Sequence, residues 1–172
     1  MVIWFIGLSG SGKSTISTKF IKVLKKNTKK HVIHLDGDNI RFLFNNSDYS
    51  ISGREKNAKI LSNLSNFLND DNVIVVASVL SIFPDWQKWN RDNIKDYFEI
   101  YIKVSFEKLL KREVKSLYKN ALNGKIKNVV GVDIEFPEPN SHLIIDNNDD
   151  DLNFERKIEM ILMELKKNNF KI

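Results

Sequence analysis

The stretch Gly7-Leu8-Ser9-Gly10-Ser11-Gly12-Lys13-Ser14 decides the fold of this 172-residue chain, because it matches the pattern G-x-x-x-x-G-K-[ST]. Its glycines let successive backbone N–H groups turn inward around an anion. Lys13 can reach the β- and γ-phosphates of a nucleotide, and the Ser14 hydroxyl can complete the coordination of Mg²⁺. The predicted nucleotide-binding residues are Gly7, Ser9, Gly10, Ser11, Gly12, Lys13, Ser14 and Thr15. The stretch therefore predicts a nucleoside triphosphate site.

The sequence on both sides of this loop supports the interpretation. The apolar run 2–6 precedes it and is typical of a buried strand, and a helical pattern begins at Lys13. The positive end of such a helix is directed at the same phosphates. A glycine turn beside a surface lysine is the alternative interpretation of the motif, and the strand and helix that flank it count against that alternative.

Apolar runs alternate with helix-like segments along the rest of the chain. The predicted strands are residues 2–6, 31–36, 72–78, 99–104 and 142–145. The predicted helices are residues 13–26, 52–68, 85–96, 106–122 and 152–167. Several strands lack an alternation of apolar and polar residues, as expected when both faces are covered. The pattern predicts a three-layer α/β fold with a five-stranded, mostly parallel sheet, in which ligands bind at the carboxyl ends of the strands.

Composition excludes several other classes of protein. With 42% hydrophobic and 28% charged residues the chain resembles an ordinary globular protein, and we expect one domain over residues 1–172. The absence of cysteine excludes disulfides, thiol catalysis and iron–sulfur clusters. The longest apolar run, 73–80, is too short to span a membrane, and no basic segment precedes the apolar start. We therefore expect a cytoplasmic protein with no membrane partner.

A second motif, Asp36-Gly37-Asp38-Asn39-Ile40-Arg41, ends the second predicted strand. A carboxylate near the phosphate loop can orient a substrate hydroxyl or accept its proton, and Arg41 can hold an anionic acceptor. The alternative is that Asp36 and Asp38 form an Asx turn that caps the following helix. The chain lacks the Asn-Lys-x-Asp and Asp-x-x-Gly motifs of GTPases, and the strand 72–78 ends in serine rather than in the acid of motor ATPases. These features favour a small-substrate kinase.

These motifs, with a later basic segment, resemble the adenylylsulfate (APS) kinase family over nearly the whole chain. Residues 7–15 and 36–41 match Gly-Leu-Ser-Gly-Ser-Gly-Lys-Ser-Thr and Asp-Gly-Asp-Asn-x-Arg of the family. The segments that resemble the family's lid are 115–119, 124, 126–128 and 131–133. The resemblance implies a kinase that uses ATP and Mg²⁺ to phosphorylate the 3′-hydroxyl of a nucleotide, with a lid at about residues 114–140, commonly as a homodimer.

The resemblance also implies roles for individual residues. The implied catalytic residues are Asp36, as the base for the 3′-hydroxyl, Lys13 and Ser81. The position of Ser81 is often described in the family as a phosphoserine intermediate, but we expect direct in-line transfer because positioned charge suffices for phosphoryl transfer. Ser81 would then contact a phosphate of the acceptor. Arg112 matches an arginine beside the ATP base.

The acceptor site implied by the resemblance consists of charged and aromatic residues. The predicted acceptor-binding residues are Asp38, Arg41, Tyr49, Arg54, Asn57, Ser81, Lys115, Lys127 and Phe136. Arg54 and Asn57 match a pair that holds the 5′ phosphosulfate. Tyr49 and Phe136 match two aromatic residues that enclose the acceptor base, for which ordinary core packing is the alternative.

The departures from the family pattern fall mostly on the acceptor side. Residues 79–84 lack the proline that follows the serine and the later arginine of Phe-Ile-Ser-Pro-(aromatic)-Arg, and residues 56–60 replace an acid by Lys56 and an arginine by Ile60. Because lysine cannot reproduce bidentate arginine contacts, we expect the same reaction on an altered acceptor. This combination resembles an offshoot of the family that phosphorylates cytidine diphosphoramidate in bacterial capsule phosphoramidate biosynthesis. Adenylyl sulfate remains the alternative acceptor.

Two other classes of function remain as alternatives. The first is a regulatory module that binds ATP without catalysis, against which the intact Asp36 and lid argue. The second is nucleic-acid binding, because the net charge is +5 and residues 106–127 hold seven Lys/Arg against two Glu. Only Tyr118 interleaves with those basic residues. We therefore expect no nucleic-acid partner.

Overall fold

Five strands form one sheet in which every pairing is parallel. This computed structural model describes residues 1–70, 72–112, 116–149 and 153–170. The strands are β1 (Val2–Ile6), β2 (His31–Asp36), β3 (Val73–Val79), β4 (Tyr97–Lys103) and β5 (Leu143–Asp146). Their order across the sheet is β2-β3-β1-β4-β5. The predicted five-stranded α/β fold is confirmed, and the sheet is fully parallel.

Helices cover both faces of this sheet. The helices are α1 (Lys13–Asn27), α2 (Gly37–Leu43), α3 (Ile51–Phe67), α4 (Pro84–Asn93), α5 (Phe106–Arg112), α6 (Leu117–Leu122) and α7 (Phe154–Lys167). Side chains alternate between the faces along β1, so Ile3 and Phe5 pack with α1 and α7, whereas Trp4 and Ile6 pack with α2 and α3. The two resulting cores fix the sheet between layers of helices.

A third, smaller apolar cluster lies over the carboxyl end of the sheet. Its buried members are Val104, Leu109, Tyr118, Ala121 and Val129, with Leu8 of the phosphate loop packed against them. This cluster joins α5, α6 and the segment that follows them to the loop between β1 and α1. The region predicted as a lid is therefore attached to the phosphate loop through apolar packing.

The elements differ from the sequence predictions at three places. The predicted helix 106–122 consists of α5 and α6, and Ser116 before α6 has a left-handed φ of 53°; Lys115 lies outside the described residues. The predicted helix 85–96 ends at Asn93, because Ile94 is extended and Asp96 has a φ of 54°. The short helix α2 was not among the predicted helices and was considered only as the helix that an Asx turn at Asp36 would cap. Among the described helices, none is long and apolar enough to cross a membrane.

Candidate active site

The phosphate loop turns sharply between β1 and α1, and two of its glycines have positive φ angles. Gly10 has a φ of 77° and Gly12, which caps α1, has a φ of 92°. A Cβ atom on Gly12 would lie 2.7 Å from Nδ2 of Asn147. The Ser11 N–H donates to the Leu8 carbonyl at 3.1 Å. The backbone conformation and the close approach of Asn147 both require glycine at position 12.

Side chains from other elements hold the loop in this shape. Nδ2 of Asn147 donates to the Ser11 carbonyl at 2.7 Å, and the Tyr118 hydroxyl donates to the Ser9 carbonyl at 2.8 Å. Burial raises the pKa of Tyr118 to about 12, so the hydroxyl keeps its proton. Because these donors satisfy loop carbonyls, the loop is preorganised around its N–H groups.

Arg112 also belongs to this support. Its guanidinium donates to the Asn147 carbonyl at 2.6 Å and to the Gly10 carbonyl at 3.4 Å. Lys157 of α7 donates to Oδ1 of Asn147, which fixes the orientation of that amide. The described contacts of Arg112 are therefore with the backbone of the loop and of the β5 end, and its position beside an ATP base stays a prediction.

Lys13 stands between the loop and two acidic residues. Its Nζ donates to the Leu8 carbonyl at 3.3 Å. Burial lowers the pKa of Lys13, whereas the charges of Asp38 and Asp36 raise it. The ammonium is thus held close to the loop, where a phosphate would replace the carbonyl as its partner.

Asp36 links the end of β2 to the start of α1. Its Oδ2 accepts a hydrogen bond from the Ser14 hydroxyl at 3.2 Å, and its Oδ1 accepts from the Asp38 N–H at 3.0 Å. The second contact is the Asx cap of α2 considered from the sequence, so Asp36 caps a helix and also presents an oxygen beside the phosphate loop. Hydroxyl and carboxylate oxygens suit Mg²⁺, which keeps waters and phosphate oxygens as its other ligands. Within the described ranges no group of three or more His, Asp or Glu could hold a metal alone.

A cavity of about 410 Å³ opens beside this loop and brings most of the predicted residues together. The predicted residues that line it are Ser9, Lys13, Ser14, Asp36, Asp38, Arg41, Tyr49, Arg54, Asn57, Ser81 and Lys127. The predicted residues outside its lining are Gly7, Gly10, Ser11, Gly12, Thr15, Arg112 and Phe136. Residues from the phosphate loop, α2, α3 and the segment after α6 therefore meet at one site.

Two arginines and a tyrosine form a basic and aromatic part of the cavity. The Arg41 guanidinium lies 4.7 Å from the centre of the Tyr49 ring, and that of Arg54 lies 5.5 Å from it. Arg41 is buried and donates to the Asp48 carbonyl at 2.8 Å. Burial, and after it the neighbouring Arg41 charge, lowers the pKa of Arg54. Two cations held this close to each other provide a site for an anionic group.

The second predicted stacking residue lies elsewhere. The Phe136 ring is 5.8 Å from that of Tyr101 and packs against the core cluster that contains Trp4. Tyr49 lines the cavity and Phe136 does not. The structure therefore does not bring these two aromatic rings together around the cavity, and it gives Phe136 the core-packing environment considered as the alternative.

Ser81 lies in the cavity lining in an unusual backbone conformation. Its φ is 46°, a left-handed value that is uncommon for a residue other than glycine. The amide of Gln87, which is buried in α4, donates to the Ser81 hydroxyl at 3.3 Å and to its carbonyl at 3.2 Å. Gln87 therefore helps to hold Ser81 in this conformation.

The segment that was predicted to form a lid contacts α3 directly at the cavity. Arg54 donates to the Asn128 carbonyl at 2.7 Å, and the Asp133 carboxylate accepts from the N–H groups of Asn128 and Val129. Lys127 is exposed and lines the cavity next to these contacts. The segment after α6 therefore forms one wall of the site.

Sequence analysis missed several residues of this site. Trp4, Ser62, Trp86 and Asn90 line the cavity, and Asn147 supports the phosphate loop. Asn147 carried a readable signal, because it follows directly after a strand that should end beside the loop. The other four carried none, since they come from three elements whose facing sides only the tertiary fold determines.

Comparisons with known proteins agree with this geometry. The family profile described as adenylylsulphate kinase matches residues 1–146. The chain is 41% identical over 164 residues to the cytidine diphosphoramidate kinase of Campylobacter jejuni, covering 95% of both chains. It is 34% identical over 173 residues to the adenylyl-sulfate kinase of Oceanobacillus iheyensis, covering 96% of this chain and 83% of that one. The structure of Mycobacterium tuberculosis APS kinase in complex with AMPPNP and APS has a TM-score of 0.85 at 26% identity, with 96% of both chains covered.

This chain is therefore a P-loop kinase that binds a nucleotide and phosphorylates a hydroxyl group. Within that class, the chain belongs to the adenylylsulfate kinase family. The family predicted from the motifs is therefore confirmed.

Proposed function

We propose that this protein transfers the γ-phosphoryl group of ATP to the 3′-hydroxyl of cytidine diphosphoramidate. One observation carries the proposal: the phosphate-binding Lys13 and Ser14, the carboxylate of Asp36 and the basic pair Arg41 and Arg54 all line one cavity. A relative with 41% identity over nearly the full length of both chains bears the name cytidine diphosphoramidate kinase. The proposal includes the roles predicted for the site residues and one kinase domain over residues 1–172.

ATP binds to the phosphate loop in this proposal. Its β- and γ-phosphates accept hydrogen bonds from the loop N–H groups and from Lys13, which in the described part of the chain donates to the Leu8 carbonyl. The Ser14 hydroxyl would hold Mg²⁺ together with phosphate oxygens, and the ion would offset the negative charge that develops during transfer. The Ser14 hydroxyl donates to Oδ2 of Asp36 at 3.2 Å, so Asp36 lies beside the place where the ion would be held.

Transfer follows an in-line displacement. The 3′-oxygen of the acceptor forms a bond to the γ-phosphorus while the bond from that phosphorus to the bridging oxygen breaks, and ADP leaves. Asp36 accepts the hydroxyl proton through Oδ2, because Oδ1 is already used by the cap of α2. Ser81 contacts the acceptor and is not a phosphorylated intermediate. Lys127 and the rest of the lid exclude water that would otherwise hydrolyse ATP.

The acceptor occupies the part of the cavity opposite the loop. Arg41 and Arg54 hold its diphosphate end, together with Asn57, and Tyr49 stacks on its base, while Asp38 lies near the acceptor. Adenylyl sulfate is the second candidate acceptor, since the family profile and the M. tuberculosis structure with APS both match this chain. We also propose that the protein is a homodimer, as its resemblance to the family implies, which light scattering after size-exclusion chromatography tests.

A comparison of two acceptors tests the proposal. The purified protein is incubated with Mg²⁺, ATP and either cytidine diphosphoramidate or adenylyl sulfate, and ³¹P NMR follows ADP and the new phosphomonoester. We expect turnover of cytidine diphosphoramidate with a kcat/KM at least about tenfold above that of adenylyl sulfate, since losing one good hydrogen-bond match costs about 1–3 kcal/mol. Turnover of adenylyl sulfate alone would establish the second candidate, and turnover of neither would refute both.

A further inference from the structure

Ser14 of the phosphate loop is connected to strand β2 through two of its atoms. Its hydroxyl donates to Oδ2 of Asp36 at 3.2 Å. Its backbone carbonyl accepts from the Ser17 hydroxyl at 3.1 Å, and the Oγ atoms of Ser17 and Ser78 lie 2.7 Å apart. Oγ of Ser78 in turn lies 3.0 Å from Nε2 of His34, which belongs to the same strand as Asp36. We call His34, Ser78 and Ser17 the serine–histidine relay.

The direction of the hydrogen bonds in the serine–histidine relay follows from the one atom that can only accept. The Ser14 carbonyl must receive the Ser17 hydrogen, and a hydroxyl has only one hydrogen to give. Ser17 therefore accepts from Ser78, and Ser78 accepts from the Nε2–H group of His34. All three hydrogen bonds exist together only in this direction. The relay thus runs from an imidazole on β2 to the first turn of α1.

The two hydroxyl groups of the relay lie in the protein interior. Ser17 is 0% exposed and Ser78 is 2% exposed, whereas His34 lies on β2, at the edge of the sheet. A hydroxyl this far from water is unfavourable unless it is paired, so these hydrogen bonds hold α1, β3 and β2 in one arrangement. Ser78 is also the residue with which the predicted strand 72–78 ends, where motor ATPases usually have an acid. In this chain that position carries a neutral hydroxyl between α1 and β2.

Both connections from β2 meet at a residue that lines the ATP side of the cavity. Asp36 holds the hydroxyl of Ser14, and the relay holds its backbone. We propose that the serine–histidine relay preorganises the phosphate loop for ATP, because it holds the first turn of α1 against β2 before the nucleotide binds. Its three members are positioning residues, since they act on the nucleotide through Ser14. This inference rests on the binding of ATP at the phosphate loop, which is part of the proposed function.

Isothermal titration calorimetry of ATP with Mg²⁺ tests the inference without any acceptor. We expect Ser17→Ala, Ser78→Ala and His34→Leu each to raise the Kd for ATP about threefold or more, because binding must then also order the turn that the relay holds. His34→Gln keeps an N–H donor close to the position of Nε2, so its Kd should stay within about twofold of the wild type. Urea unfolding of each variant measures stability separately.

Two further measurements distinguish a relay from three independent contacts. Ser17→Ala and His34→Leu break the same relay at its two ends, so the double variant should bind ATP about as weakly as either single variant. Effects on the Kd that multiply would show that the two residues act separately, and would overturn the inference. Long-range ¹H–¹⁵N NMR of the neutral His34 ring should show its hydrogen on Nε2, and a hydrogen on Nδ1 would contradict the direction of the relay.

Two control variants match these changes in chemistry. Ser65→Ala removes another fully buried serine hydroxyl, on α3, that does not line the cavity. His31→Leu replaces an exposed histidine at the start of β2, the strand that carries His34. Both controls should leave the Kd for ATP unchanged, because neither residue belongs to the relay.

The outcomes separate the inference from the proposed function. Binding of ATP by the wild type with a Kd that the relay variants leave unchanged would overturn the inference, even if these variants unfold more easily, and would leave the kinase function standing. No binding of ATP by the wild type would refute the proposed function and the inference with it. If Ser78→Ala does not fold, Ser17→Ala decides, since alanine is well tolerated in a helix.

Discussion

Replacing Asp36 separates its two roles, because its two carboxylate oxygens make different contacts. Oδ1 caps α2 through the Asp38 N–H at 3.0 Å, and Oδ2 lies 3.2 Å from the Ser14 hydroxyl. Asp36→Asn keeps an acceptor oxygen for the cap and loses the ability to take a proton. Asp36→Ala loses both. The two variants should therefore differ in stability and agree in catalysis.

The expected magnitudes follow from these contacts. Loss of general base catalysis lowers kcat by about 10²–10⁴-fold in both variants. Loss of a side-chain helix cap costs about 1 kcal/mol, so Asp36→Ala should unfold about 2–4 °C lower, whereas Asp36→Asn should stay within about 0.5 kcal/mol of the wild type. ADP release, coupled to NADH oxidation, measures kcat, and urea unfolding measures stability.

The matched control is Asp92→Asn. Asp92 forms an exposed ion pair with Lys88 on α4, so this change should alter neither kcat nor the free energy of unfolding. A kcat for Asp36→Asn within threefold of the wild type would show that Asp36 is not the base. Equal unfolding free energies for Asp36→Ala and Asp36→Asn would show that the cap contributes nothing.

Three further perturbations test other parts of the site. Gly12→Ala places a Cβ at a φ of 92° and 2.7 Å from Asn147, so urea unfolding should show a loss of about 1–3 kcal/mol; an unchanged midpoint would contradict the loop geometry. Lys127→Ala removes an exposed cation of the lid, so kcat should fall about tenfold or more while the melting temperature stays constant, and unchanged kinetics would exclude the lid role. Burial raises the pKa of Glu99, so between the ordinary and the raised pKa the native state binds more protons than the unfolded state. The free energy of unfolding should therefore fall as pH rises through that window. Glu99→Gln should flatten this pH dependence, which urea unfolding at several pH values measures.

The strands and the phosphate loop could be predicted because their signals are local. The buried run 2–6 and the glycines of residues 7–12 show their conformation within a few residues of sequence. The single helix predicted over 106–122 was too long. Its spacing of apolar residues continues on both sides of Ser116, but the backbone of Ser116 is left-handed. The spacing of apolar residues indicates which residues share one face of a helix. It does not indicate where a helix ends, because the residues there can adopt a helical or a left-handed conformation.

The site was harder to predict where residues from distant elements meet. Motifs with fixed spacing located Lys13 and Asp36 at the cavity, because each motif lies directly after a strand. Aromatic residues gave a weaker signal: Tyr49 lines the cavity, but Phe136 packs beside Tyr101. Asn90 also lines the cavity, and its place there could not be predicted, because only the packing of α4 beside β4 brings its amide to the Tyr97 hydroxyl.

The most direct test of the central claim is the identity of the hydroxyl that receives the phosphoryl group. The 2′-deoxy and 3′-deoxy forms of cytidine diphosphoramidate are each incubated with the protein, Mg²⁺ and ATP labelled at the γ-phosphate, and transfer of the label is measured. Because the proposed reaction transfers the phosphoryl group to the 3′-oxygen, we predict labelling of the 2′-deoxy form and none of the 3′-deoxy form. Labelling of the 3′-deoxy form would contradict the proposed reaction.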